Sequence, residues 1–237
     1  MTEAASGATA SNTTAAAEMI GFHFDVMCPW AYQTSLWIRD VRRQTGLHID
    51  WRFFSLEEIN RSEGKKHPWE RDWSYGWGMM RVAALLRRTS MDDCDRFYQV
   101  AAHALHVEGR KPHQPEVAAE LLDSIGLDPG LVATAIADPT THNDVRADHD
   151  AVVAHGGFGV PTLVFDDGSH LYGPVITPAP TGHDALVLWD LVKATRRFPH
   201  LYEIKRPKTD DDVRHVAAQF APYLNARDWE TREKPAR

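Results

Sequence analysis

Met19-Ile20-Gly21-Phe22-His23-Phe24-Asp25-Val26-Met27-Cys28-Pro29-Trp30-Ala31 is the stretch that decides the fold. Its first eight residues alternate well enough for a strand, with Ile20, Phe22, Phe24 and Val26 on one face. Pro29 stands where a helix takes its first residue, because a missing N–H costs nothing there. Trp30, Leu36, Trp37, Ile38 and Val41 then recur at helical spacing until Gly46, a good terminator. Cys28 is thereby placed at a helix N-terminus, where unpaired amides and aligned peptide dipoles favour negative charge. That position predicts a thiol of lowered pKa, held as a nucleophilic thiolate with no acidic neighbour to oppose it.

Working outward, His48 to Leu56 reads as a second, aromatic-rich strand, so strand, helix and strand predict a parallel crossover. From Pro68 to Gly156 only helical patterns follow. The first is expected over Pro68 to Arg88, with Trp69, Trp73, Trp77, Met80 and Leu85 on one stripe, and the second over Asp92 to His106. Another runs from Pro115 to Ile125. Asp128-Pro129 and Asp138-Pro139 open two more, the last ending at Gly156-Gly157. Strands return at Val160 to Phe165 and His170 to Gly173, joined by Asp166-Asp167-Gly168-Ser169 as a hairpin turn. A helix over Gly182 to Thr195, an aromatic segment Phe198 to Tyr202 and a helix over Thr209 to Leu224 complete the chain. This order predicts an α/β chain with a thioredoxin-like fold. A helical domain (61–156) is inserted into a thioredoxin-like domain (19–60 and 157–207), flanked by a disordered tail (1–18) and a C-terminal helix and tail (208–237).

Composition narrows the function. With 43% hydrophobic residues among 237 there is material for a large core. The net charge of -7 is spread along the chain and no basic run offers a nucleic-acid footprint. No apolar run approaches the roughly 20 residues that span a bilayer, so no membrane partner is expected. Residues Met1 to Glu18 lack a basic start and an apolar centre, which argues against a secretory signal and for a cytoplasmic protein. A thiol in that reducing compartment serves reduction or conjugation rather than disulfide formation.

Cys28-Pro29-Trp30-Ala31 after a strand, with Gly159-Val160-Pro161-Thr162 before the hairpin, resembles the DsbA-like thioredoxin family. Further motifs narrow the resemblance to the actinobacterial mycothiol-dependent reductases: Phe24-Asp25, Ser55-Leu56 with Asn60, Gly78-Met79-Met80-Arg81-Val82-Ala83, Tyr172-Gly173-Pro174-Val175, Leu188-Trp189-Asp190 and Phe198-Pro199-His200-Leu201-Tyr202-Glu203. The resemblance implies a cis Val160–Pro161 bond facing Cys28, with the Val160 backbone free to pair with an extended thiol. It implies that Trp30 lines the substrate groove beside Pro29, and it offers Asn60 and His106 as further contacts. The cofactor it implies is a low-molecular-weight thiol, mycothiol or glutathione, acting with a small-molecule substrate on a monomer or homodimer. One departure is decisive for mechanism: the second cysteine of Cys-Pro-x-Cys is Ala31 here, which closes the intramolecular release of a mixed disulfide. A monothiol oxidoreductase is the first reading. A transferase or isomerase of the kappa kind, in which Cys28 only assists, is the second, and a decayed binding protein is the third.

The remaining candidates have plainer readings. Cys94 lies among Asp92, Asp93 and Asp95, where negative charge opposes a thiolate. His103 and His106 stand three apart, but nothing nearby completes a metal site. Asn60 fits a helix cap as well as a substrate contact, and the tryptophan stripe fits a core as well as a pocket. No phosphate-binding glycine loop is present, so neither flavin nor nicotinamide is predicted.

Overall fold

The structure, a computed structural model, describes residues 18–227. The expected N-terminal tail, save Glu18, and residues 228–237 of the C-terminal tail lie outside them. β1 (Met19–Phe24) pairs in parallel with β2 (His48–Phe53), from Met19 opposite His48 to Phe24 opposite Phe53. β3 (Thr162–Val164) runs antiparallel to β1, and β4 (His170–Tyr172) antiparallel to β3, giving the order β2-β1-β3-β4. The crossover between β1 and β2 is α1 (Pro29–Thr45), stopped at Gly46, whose φ of 75° suits a residue without a Cβ. This is the thioredoxin-like fold.

Between β2 and β3 the chain is helical: α2 (Leu56–Ile59), a 3-10 turn at Pro68–Glu70, α3 (Tyr75–Arg87), α4 (Met91–His106), α5 (Pro115–Ser124), α6 (Leu131–Ala137) and α7 (Thr140–Ala154). After β4 come α8 (His183–Thr195), α9 (Asp210–Gln219) and α10 (Ala221–Ala226). Helices α1 and α4 are locked onto the sheet through one buried cation. Arg39 of α1 donates from Nε to Asp95 of α4 at 2.7 Å and from Nη1 to Ser35 Oγ at 2.7 Å. Its guanidinium lies 4.5 Å from the Trp51 ring centre and 5.1 Å from that of Tyr98, which itself stacks on Phe24. A second buried arginine, Arg81, joins α3 to the α6–α7 junction by donating to the carbonyls of Ala135, Ile136 and Asp138, at the negative end of α6.

Two expected helices are divided. The span from Pro68 to Arg88 is broken at Asp72 to Ser74, where Ser74 is extended (φ -150°, ψ 151°). At the break Trp73 parts from the other two: Trp69 and Trp77 pack on each other with ring centres 5.4 Å apart, while Trp73 turns elsewhere. Trp77 donates to His142 Nδ1 at 2.8 Å, and Trp73 donates to the His113 carbonyl while lying against Gly78, where a Cβ would fall 2.7 Å from its ring. The span from Thr209 to Leu224 is broken at Phe220. Pro222 supplies the reason: it lacks an N–H, and its ring opposes continuation of the preceding turn. Among the described residues no helix is long and apolar enough to cross a membrane.

Candidate active site

Where β1 ends, Asp25 organises the turn that delivers the cysteine. Its Oδ1 accepts from the Met27 N–H at 2.9 Å, its Oδ2 from the Leu56 N–H at 2.8 Å, and its carbonyl from the Cys28 N–H at 3.0 Å. One carboxylate thus ties the Cys28 turn to the start of α2. Glycine is required at position 76 of α3, because a Cβ there would sit 2.3 Å from Asp25 Oδ1. Burial pushes the Asp25 carboxyl up to about 6, the two N–H donors pull against it, and Glu57 adds to the rise.

Cys28 occupies the N-cap of α1 with extended backbone, and Pro29 is the first helical residue. The sulfur accepts from the Ala31 N–H at 3.4 Å, and the thiol donates to the Val160 carbonyl at 3.5 Å. Val160 is joined to Pro161 by a cis bond, so β1, the start of α1 and the approach to β3 converge on this sulfur. The expectation of a resting thiolate needs correction. Burial pushes the Cys28 thiol up to about 12, with the Asp25 charge adding to the rise, while the Ala31 and Trp30 amides lower it. The helix start acts in the expected direction, but lost hydration outweighs it. Asp25 is also the acidic neighbour that the sequence reading did not count.

Trp30 is half-buried, and its ring meets Phe220 of the α9–α10 junction edge-on at 4.8 Å. His106, near the end of α4, holds the chain just before the cysteine. Its Nε2 lies 2.8 Å from the Val26 carbonyl, while its ring stacks on Tyr32 and meets Tyr223 at 5.0 Å. A ring nitrogen against a carbonyl carries the proton, which leaves Nδ1 as a bare acceptor; that atom is buried with no hydrogen-bond partner. Burial lowers His106 to about 4, the Val26 carbonyl opposing, so the ring is neutral. On the Pro161 side, Phe158 and Tyr172 pack at 4.7 Å as an exposed aromatic lip.

Asn60 is not drawn into this cluster. It caps α2, with its side-chain amide donating to the Leu56 carbonyl at 2.8 Å on the exposed side. His103 is exposed, unlike the buried His106, and pairs with Glu108 at 3.2 Å. Among the described residues no group of three or more His, Cys, Asp or Glu side chains is arranged to hold a metal ion. Cys94 is buried, and burial pushes its thiol up to about 12. Of the tryptophans expected to line a pocket, Trp73 borders a cavity of about 260 Å³ with Arg71, Ser74, Tyr75 and His113. In the sequence Phe220 and Tyr223 are not singled out, and Asp25 enters only within the Phe24-Asp25 motif, with no role assigned. Only Asp25 left a signal there, its place three residues before the cysteine.

Asp25 sets a pH dependence whose sign is fixed. Its folded carboxyl titrates near 6, above the ordinary 3.8, so its contribution to stability is present below about pH 4 and lost as pH rises through 6. A shift of this size corresponds to on the order of 3 kcal/mol. In urea unfolding, Asp25→Asn should therefore gain on the wild type by roughly 2–3 kcal/mol between pH 4 and pH 7. A difference that stays constant with pH would remove Asp25 as the titrating group.

Residues 27–206 match the family model described as Rv2466c-like, mycothiol-dependent nitroreductase Rv2466c. An uncharacterized protein of Mycobacterium tuberculosis (strain ATCC 25618 / H37Rv), Rv2286c, is 58% identical over 210 residues, covering 89% of this chain and 91% of the relative. The fold is shared with a probable DsbA oxidoreductase of Streptomyces coelicolor (TM-score 0.53, 17% identity, 81% of this chain and 94% of that one). It is shared equally with a 2-hydroxychromene-2-carboxylate isomerase (TM-score 0.55, 16% identity, 76% of this chain and 95% of that one). The family match spans the Cys28 turn, the helical insertion and the Val160–Pro161 connection together, and on that ground the chain belongs to the Rv2466c-like family, within the DsbA-like thioredoxin fold.

Proposed function

We propose that this protein is a cytoplasmic thiol-dependent oxidoreductase in which Cys28 works alone, with mycothiol as the low-molecular-weight thiol. The observation that carries the reading is the seat of one sulfur between the Ala31 amide and the Val160 carbonyl, next to cis Pro161. The mycothiol named for the matched family supports the choice of thiol, and glutathione is the alternative to be compared with it.

The chemistry follows from a neutral buried thiol beside two favourable amides. When solvent and substrate reach the sulfur, the burial that opposes ionisation is relieved, and the Ala31 and Trp30 N–H groups remain to stabilise the anion. The Cys28 thiolate attacks the mycothiol sulfur of a mycothiol mixed disulfide. A Cys28–mycothiol disulfide forms, and the other half leaves as a thiolate that takes up a proton. Because Ala31 offers no sulfur, a second mycothiol thiolate must attack the adduct, forming mycothiol disulfide and returning the Cys28 thiolate. One mycothiol thiol and the mixed disulfide thereby become the released thiol and mycothiol disulfide: the incoming mycothiol sulfur is oxidised as the released sulfur is reduced, and the substrate's own mycothiol sulfur stays at the disulfide level. The Val160 backbone and the half-buried Trp30 ring are the groups proposed to hold the substrate in line.

A second reading takes support from the same burial. A thiol pushed up to about 12 fits an assisting role, in which a bound thiol cofactor attacks directly, as in a transferase or isomerase. Steady-state kinetics separate the two. With mycothiol varied at several fixed concentrations of the mixed disulfide, a covalent Cys28 intermediate gives parallel double-reciprocal lines, expected here. Intersecting lines would mean that both substrates are bound before chemistry, and would favour the second reading.

A further inference from the structure

Among the described residues, much of the segment after α8 is exposed. Residues 200–211 are exposed throughout, and α9 has no buried residue. The polar contacts of its leading edge are internal, since Asp212 is bonded by Arg206 and by Thr209 of the same segment. Its contacts with the body include a row around α10: Phe220 edge-on to Trp30 at 4.8 Å, Tyr223 on His106 at 5.0 Å, and Ala226 buried. The Pro222 carbonyl closes over Gly109, where a Cβ would stand 3.3 Å from it. The Lys208 ammonium lies 5.9 Å above the same Trp30 ring. The ring anchors therefore fall on the two residues that bracket the thiol. Trp30 follows Cys28 by two positions, and His106 holds the carbonyl of Val26, two positions before it.

We infer that α9–α10 is a lid over the Trp30 face of the Cys28 site, with Phe220 filling the place against Trp30 that an apolar or aromatic part of the substrate takes when the lid lifts. The inference rests on the reading of Cys28 as the thiol centre. A helix pair whose first helix has no buried residue, entered by an exposed lead-in, belongs to the low end of local stability, where opening precedes global unfolding. Opening removes Phe220 from Trp30 and Tyr223 from His106 in one movement, so it uncovers an aromatic shelf and the bare His106 Nδ1 acceptor together. Opening also admits water toward a sulfur that burial keeps neutral. The lid thus couples substrate access to activation of the nucleophile: closed, the thiol is protonated and covered; open, it is hydrated beside the helix start. Helices α9 and α10 follow residues 27–206, the part of the chain that the family model matches.

The test is the rate of Cys28 alkylation by iodoacetamide in the folded full-length chain, followed by mass spectrometry with the label mapped to Cys28 or Cys94. Phe220→Ala and Tyr223→Ala each remove one anchor. The expected result is labelling of Cys28 accelerated by about tenfold or more in each variant, with Cys94, packed elsewhere in the core, unchanged. Equal Cys28 rates in wild type and variants would overturn the lid. So would a parallel rise at Cys94, because it would report general loosening. Should Phe220→Ala fail to fold, Tyr223→Ala decides alone, since it loosens the same helix through a different contact. The measurement uses no mycothiol, so the lid and the oxidoreductase reading can fail separately. Faster labelling with intersecting kinetics keeps the lid and removes the redox role; parallel kinetics with unchanged labelling does the reverse.

Discussion

Cys28→Ser is expected to lower kcat/KM for mycothiol-dependent disulfide reduction by on the order of 10³-fold or more, because no other thiol can take its place in the covalent step. The substitution isolates chemistry from folding. Serine is a favoured N-cap residue, and its hydroxyl can accept from the Ala31 N–H that now bonds the sulfur, so α1 stays capped and the unfolding midpoint should hold or rise. Nor does Cys94 offer a rescue, being fully buried among core side chains. Turnover retained within about threefold, by contrast, would assign the attack to a bound thiol cofactor and leave Cys28 an assisting role.

The second large effect concerns the residue that sets this chain apart from a dithiol centre. Ala31 is fully buried, its N–H is 3.4 Å from the Cys28 sulfur, and its side chain stands one helical turn along the same face. In Ala31→Cys, a sulfur at that position would attack the Cys28–mycothiol disulfide from within the molecule, expel mycothiol and leave an internal disulfide. The lifetime of the adduct should fall by on the order of 10²-fold or more, since the attacking thiol no longer has to be captured from solution. Release would become independent of mycothiol concentration, whereas in the wild type it should rise in proportion to it. An adduct as long-lived in the variant as in the wild type would mean that the third residue after the cysteine cannot reach its sulfur.

Much of the fold could be read along the chain because its signals are local. Alternation of Ile20, Phe22 and Phe24, a proline at the first position of α1 and a glycine just past its end depend on neighbours a few residues away. The same is true of the Asp-Gly turn between β3 and β4. What misled was the commitment of side chains to distant partners. Trp69, Trp73 and Trp77 are spaced as one helical stripe, but Trp73 turns to the His113 carbonyl and Trp77 to His142, and the helix begins only at Tyr75. Pro222 lies within the stretch expected as one helix over Thr209 to Leu224, and that stretch is broken at Phe220. The site divides in the same way. Cys28, its helix start and its pairing with Val160–Pro161 follow from motif and position. The protonation of the thiol does not, because it is decided by how much water the folded cover excludes and by Asp25, whose carboxylate is turned inward by the Met27 and Leu56 amides. Asn60 shows the limit of a resemblance: the residue is present, but its amide is used to cap α2.

The account rests on a bond between the Cys28 sulfur and a small thiol, and intact mass spectrometry of the wild-type chain after exposure to mycothiol disulfide tests it most directly. The expected result is a single added mycothiol, removed by excess mycothiol and absent from Cys28→Ser. A wild-type chain that turns over substrate yet never carries the adduct, or that carries it equally after Cys28→Ser, would contradict it.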